Sequence, residues 1–144
     1  MNSDITIRPA KVSDSFELHK LNDLFNGEGS NSIDAIEESL RVNSQEIIIV
    51  AEKEEKLVGF CCGQMLKSMC YPFPYAEITE LFVLDEFRRQ GIGKRLLDSM
   101  EAWLVGCGAR HFHILTFKNN TSAQALYKLC GYVVTSEVLL EKNL

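Results

Sequence analysis

What this chain lacks narrows its class before any motif is read. No apolar run approaches the ~20 residues needed to cross a bilayer, so no membrane partner is expected. With three prolines and nine glycines among 144 residues, no stretch has linker or low-complexity composition, and no segment repeats. One domain over residues 1–144 is expected, long enough to bury roughly two thirds of its unfolded surface. The opening from Met1 to Arg8 has no apolar core and an early acid, Asp4, which reads as no secretion leader and a cytoplasmic location. Basic residues are in deficit, 15 against 20 acidic, for a net charge of −5. Nucleic acid wants a basic face, so it is set aside as a partner.

Metal and disulfide chemistry lack their spacing too. The five cysteines (Cys61, Cys62, Cys70, Cys107, Cys130) form no C-x-x-C pair, and their number is odd. Cys61 and Cys62 are neighbours on an expected strand and point to opposite faces. Free core thiols are the reading for the set. His19, His111 and His113 lack metal-ligand spacing with Cys or acids, and His111 and His113, alternating on one strand face, read as structural, so no metal is expected. No serine lies in a nucleophile elbow. The N-x-S/T triplets at Asn119 and Asn120 carry no weight without a secretion leader.

What is present is concentrated between Leu81 and Leu97. An apolar strand runs into a charged turn, then Gly91 and Gly93, then an amphipathic helix. A helix N-terminus leaves backbone N–H groups unpaired and carries partial positive charge. Glycine lets a bulky anion approach those donors. Arg88, Arg89, Lys94 and Arg95 place four cations around the turn. The segment reads as a phosphate-binding loop on the end of a strand. A Walker-type loop fails twice, because Arg95 follows Gly93-Lys94 and Arg88 holds the earlier glycine position. The dinucleotide fingerprint fails at Leu96 and has no βαβ unit before it.

Periodicity predicts strands at Ile5–Arg8, Glu46–Ala51, Leu57–Gln64, Tyr75–Leu84, His111–Phe117 and Tyr132–Leu139. It predicts a helix capped by Ser13 or Asp14, with Phe16, Leu18, Leu21, Leu24 and Phe25 as its stripe, and a short one capped by Ser32. A third runs from Gly93 to about Gly106 with Leu96, Leu97, Met100, Trp103 and Leu104 inward, and a fourth from Thr121 to Leu129 stops at Gly131.

Arg88-x-x-Gly91-x-Gly93 after a strand resembles the pyrophosphate loop of the GNAT superfamily of acyl-CoA-dependent N-acetyltransferases. A second block carries the same resemblance: Asn120, Ala123, Leu126, Tyr127, Gly131 and Tyr132 fall in the family's later pattern. The resemblance implies a mixed α/β fold whose mainly antiparallel sheet splays between its fourth and fifth strands, with helices on both faces. It implies acetyl-CoA as co-substrate. Its pantetheine arm would pair with backbone groups of Leu81, Phe82 and Val83, and its pyrophosphate would sit on Arg88, Arg89, Gln90, Gly91, Ile92, Gly93 and Lys94. It also implies that Asn120 and Tyr127 border the pantetheine and the sulfur.

Acetylating an amine needs a base for the ammonium, a donor for the thioester oxyanion and an acid for the leaving thiolate. Glu80, at the start of the Leu81-Phe82-Val83 run, is the base candidate, acting directly or through water. Glu77, three residues earlier, is expected on the opposite strand face. Tyr127 is the acid candidate, Asn120 assists, and a backbone N–H near Phe82 or Val83 is the oxyanion donor. Glu28, in a candidate lid over 26–32, and Tyr75, in an aromatic run from Tyr71, join Glu80 as acceptor-binding residues. Asp34, Glu37 and Glu38 add negative charge nearby.

An acidic, aromatic pocket suits a small cationic amine, an aminoglycoside or a polyamine. The segment around Glu80 to Ile92 is similar to the family's small aminoglycoside acetyltransferases, which would make the chain an antibiotic-resistance enzyme. Two alternatives stay open: a peptide or protein N-terminal or lysine acetyltransferase, and a non-catalytic CoA-sensing module. The family resemblance also implies a homodimer through the late strands, where Val133, Val134, Val138 and Leu139 could equally be core.

Overall fold

The computed structural model describes residues 4–144, so the first three residues of the leader reading lie outside the described residues. Five strands form one sheet in the order β1-β2-β3-β4-β5: β1 (Ile5–Pro9), β2 (Glu46–Lys53), β3 (Lys56–Leu66), β4 (Tyr75–Val83) and β5 (Phe112–Ile114). The first four are antiparallel neighbours and β5 joins β4 in parallel. Helices α1 (Ser15–Asn26) and α2 (Ile33–Val42) precede β2, α3 (Ile92–Gly106) follows β4, and α4 (Thr121–Leu129) follows β5. This is the mixed, mainly antiparallel architecture the resemblance implies.

Strand alternation divides the core. One face carries Ile49, Ala51, Cys61, Ala76, Ile78 and Val83 against Leu96, Leu97, Met100 and Leu104 of α3. The other carries Val50, Phe60, Cys62 and Phe82 against Leu18 and Leu21 of α1. Cys61 and Cys62 do part to opposite faces, whereas Cys70 and Cys107 are exposed surface thiols rather than core. Glu54 and Glu55 turn the β2–β3 hairpin with φ of 50° and 64°, the left-handed pair a tight two-residue turn demands. Ser32 caps α2, its Oγ accepting the Ala35 N–H at 3.1 Å. Asp14 does not cap α1 through its side chain. It is buried and receives the Arg8 guanidinium at 2.8 and 2.9 Å and the Lys11 N–H at 2.8 Å.

The structure departs from expectation on the outer strands and stripes. Phe16, Leu24 and Trp103 are about half or more exposed, because each helix buries one narrow face against the sheet. Strand β5 stops at Ile114 rather than Phe117. The Gln124 side chain instead takes the Phe117 and Lys118 carbonyls at 3.1 and 2.8 Å, drawing that stretch into the entry of α4. Beyond Tyr132 no strand forms among the described residues, and Val133, Val134, Val138 and Leu139 are exposed rather than core. Alternation gives a segment strand propensity, but a strand exists only where an edge supplies its hydrogen bonds.

Candidate active site

The site grows from the upper half of β4. Strand β4 pairs with β5 only through Ala76, Glu77 and Ile78, then continues to Val83 paired with β3 alone. The Phe82 carbonyl and the Leu84 N–H turn toward β3. By alternation, Leu81 and Val83 turn their backbone groups toward the gap that β5 leaves. Of the expected pantetheine contacts, these two face the opening and Phe82 does not. The Val83 carbonyl already accepts the Arg88 Nε at 3.0 Å, which leaves the Val83 N–H and both Leu81 groups for an added strand.

Above the gap, Gly91 begins α3 in a left-handed conformation, φ 78°, that disfavours any side chain. The first helical bond runs from the Arg95 N–H to the Gly91 carbonyl at 3.1 Å, so the amides of Ile92, Gly93 and Lys94 remain for an anion. A Cβ on Gly93 would lie 3.3 Å from Leu126 Cδ2, so this glycine lets α4 close onto the start of α3. The four expected cations do not converge. Arg88 holds Asp85 at 3.0 Å and Val83, Lys94 turns down the helix to Asp98 at 2.7 Å, and Arg95 reaches the Ile5 carbonyl at 3.0 Å. Arg89, itself left-handed at φ 61°, and Gln90 are exposed beside the amides.

Below the α4 side of the gap, Asn120 caps α4, its Oδ1 accepting the Ala123 N–H at 3.2 Å. Tyr127 is half-buried against the α3 face. Its neighbour Tyr132, ring to ring at 6.2 Å, donates its hydroxyl to Glu101 at 2.5 Å. The Tyr127 hydroxyl makes no hydrogen bond among the described residues. Burial, and then the Cys61 thiol, push it up to about 12, so it keeps its proton at neutral pH.

Glu80 lies on the opposite, α1 face. It lines a cavity of about 200 Å³ with Glu46, Asn22, Asn26, Asn31 and Phe60 among its walls. Burial raises the Glu80 carboxyl, the Asn26 amide pulls it back by hydrogen bonding, and the Glu46 charge raises it further. Glu80 and Tyr127 therefore meet only through the β4–β5 gap. Phe60 gives the cavity an aromatic wall, backed by Phe25 and Phe82 with ring centroids 5.1–6.1 Å apart, whereas Tyr71 and Phe73 are exposed and line no part of the cavity. Tyr75 packs on His113 at 4.7 Å, away from it. In the 26–32 loop Glu28 is exposed, and Asn26 and Asn31 are the loop's cavity residues. Glu37 and Glu38 pair with Arg41 on α2.

Two features escaped the sequence. The β3–β4 register slips between Cys62↔Glu80 and Gly63↔Ile78, leaving Thr79 as an extra residue. The bulge reverses the parity, so Glu77 shares Glu80's face instead of opposing it. Glu46 was also missed, since the first residue of a strand carries no periodic signal of its own.

The family described as Acetyltransferase (GNAT) matches residues 16–132. An uncharacterized N-acetyltransferase of Chlorobaculum tepidum is 30% identical over 133 residues, covering 90% of this chain and 76% of its own. Aminoglycoside N(6')-acetyltransferase type 1 of Salmonella typhimurium is 29% identical over 74 residues, about half of either chain (51% of each). The solved structure of AAC(6')-Iy with the bisubstrate analogue CoA-S-monomethyl-acetylneamine superposes with a TM-score of 0.83 at 23% identity, over 98% of this chain and 99% of that one.

Proposed function

The chain belongs to the acetyltransferase (GNAT) family, and from that premise we propose that it moves an acetyl group from acetyl-CoA to a primary amine of a small cationic acceptor, an aminoglycoside or a polyamine, by direct attack. The observation that carries the acceptor class is the cavity itself: half-buried Glu80 faces it with no cation partner among the described residues. A protonated amine supplies the missing charge.

In this reading Glu80 takes the ammonium proton, directly or through water. The freed nitrogen attacks the thioester carbon across the β4–β5 gap. The Val83 N–H donates a hydrogen bond to the developing oxyanion. As the C–S bond breaks, the Tyr127 hydroxyl protonates the departing sulfur, and the second proton shed by the acylated nitrogen restores the hydroxyl. A carboxylate raised toward neutrality is the better match to an amine's proton, and a tyrosine that stays protonated is available as donor. The amides of Ile92 to Lys94 suit the pyrophosphate, with Arg88 bracing the turn beneath it and Asn120 holding the entry of α4. The aminoglycoside acetyltransferase among the relatives and the bisubstrate complex of AAC(6')-Iy support the acceptor class. The exposed apolar tail from Val133 supports a homodimer joined through that segment.

The test is CoA thiol release from acetyl-CoA with kanamycin, spermidine, amino acids and short peptides as acceptors. The expected result is a rate that depends on the polycation, falls at least 100-fold in Glu80→Gln and about tenfold in Tyr127→Phe. Peptide-dependent turnover alone would move the assignment to a protein N-acetyltransferase. Acetyl-CoA binding with no acceptor-dependent rate would move it to a cofactor-sensing module.

A further inference from the structure

Glu46 opens β2 and Glu80 stands on β4, with β3 between them. Glu80 lies opposite Cys62, and Glu46 lies opposite Gln64, two residues along the same strand. Both carboxylates therefore rise from one sheet face, two strands apart, which sets their Cα atoms roughly 12 Å from each other. Both line the same cavity, with Asn22, Asn26 and Asn31 as uncharged polar neighbours. No lysine, arginine or histidine among the described residues lines it. Elsewhere the fold treats such acids differently: Asp14 and Glu52 share Arg8 at 2.8 and 3.2 Å. Glu46 has no ion pair among the described residues. Burial raises its carboxyl, and the Cys62 thiol only partly offsets this by hydrogen bonding.

We propose that Glu46 is a specificity residue that anchors a second ammonium of the acceptor, so that the site selects amines carrying at least two positive charges, one nitrogen held at Glu46 while another is presented at Glu80. This rests on the acetyltransferase reading above. A monoamine leaves one of the two carboxylates desolvated and unmatched. A diamine of suitable span matches both at once.

The test uses the full chain saturated with CoA and three probes: cadaverine, kanamycin and the monoamine amylamine. Titration calorimetry reads binding without needing turnover. Wild type is expected to bind cadaverine and kanamycin at least tenfold more tightly than amylamine. Glu46→Gln is expected to erase about tenfold of that preference while changing amylamine affinity less than threefold. In turnover at the plateau pH, the same variant raises KM for the polycation about tenfold and changes kcat less than KM. Glu46→Asp, which keeps the charge, restores part of the preference, and thermal melting checks that each variant folds. Equal weakening of all three probes, no weakening of any, or no binding of the diamine to wild type would overturn the proposal. Failure of the acetyltransferase reading looks different: selective diamine binding that depends on Glu46, with no acetylated product.

Discussion

At the scale of single residues, the cavity lined by Glu46 and Glu80 holds carboxyls with no cation beside them among the described residues. Glu46 and Glu80 are both raised, each by burial first. A carboxyl whose folded value is raised favours folding fully below its ordinary value, about pH 4, and that contribution is lost as pH rises through the raised value. Glu46→Gln is therefore expected to raise the melting temperature at neutral pH and to leave it unchanged below about pH 4. The same substitution removes a charge that holds Glu80 up. The acid limb of kcat/KM, set by ionisation of the base, should then move to lower pH than in wild type. A melting series and a pH profile read the two effects, and a limb that stays put would separate Glu46 from Glu80. Glu80 itself was legible from the residues that follow it. Its neighbours in the cavity were not, because Glu46 and Asn22 are distant in sequence and meet it only across the sheet and α1.

Among elements, the fit of β3 to β4 controls the gap. Gly59 faces the carbonyl of Phe82, which a Cβ would approach to 2.7 Å, and also Val83 Cγ2 and Leu96 Cδ1 at 3.3 Å. The first contact is backbone and cannot swing aside. Gly59→Ala should cost about 1–3 kcal/mol in denaturant unfolding. Because the displaced strand end carries the backbone groups facing the gap, it should also raise KM for acetyl-CoA. A variant of wild-type stability and KM would mean that β4 has slack at this point. The helices were legible because their signals are local: Ser32 caps α2, and Gly131 at φ 94° follows the end of α4. The Thr79 bulge was not, since a register slip depends on two strands at once, and the face assigned to Glu77 was wrong for that reason.

For the whole molecule, the exposed tail is the unbalanced feature. Val133, Val134, Val138 and Leu140 are each more than three quarters exposed, at 80%, 77%, 81% and 88%. Apolar surface of this extent calls for a cover. The full chain is expected to sediment as a dimer, and a chain ended after Tyr132 as a monomer. Equal masses for the two in analytical ultracentrifugation would assign the tail another role. No helix among the described residues is long and apolar enough to cross a membrane.

The sequence by itself determined the glycine turn into α3, the helices and four strands. Each of these is set by interactions within a few residues: a glycine's φ, a cap, a stripe at helical or strand period. Only the tertiary structure decided which acids share a cavity, that Glu80 and Tyr127 lie on opposite faces joined by the β4–β5 gap, that Arg88, Lys94 and Arg95 turn to neighbours within the protein, and that the last apolar segment pairs with no strand among the described residues. Those outcomes depend on register, sheet order and the supply of partners, which are properties of the assembled sheet and not of any stretch of chain.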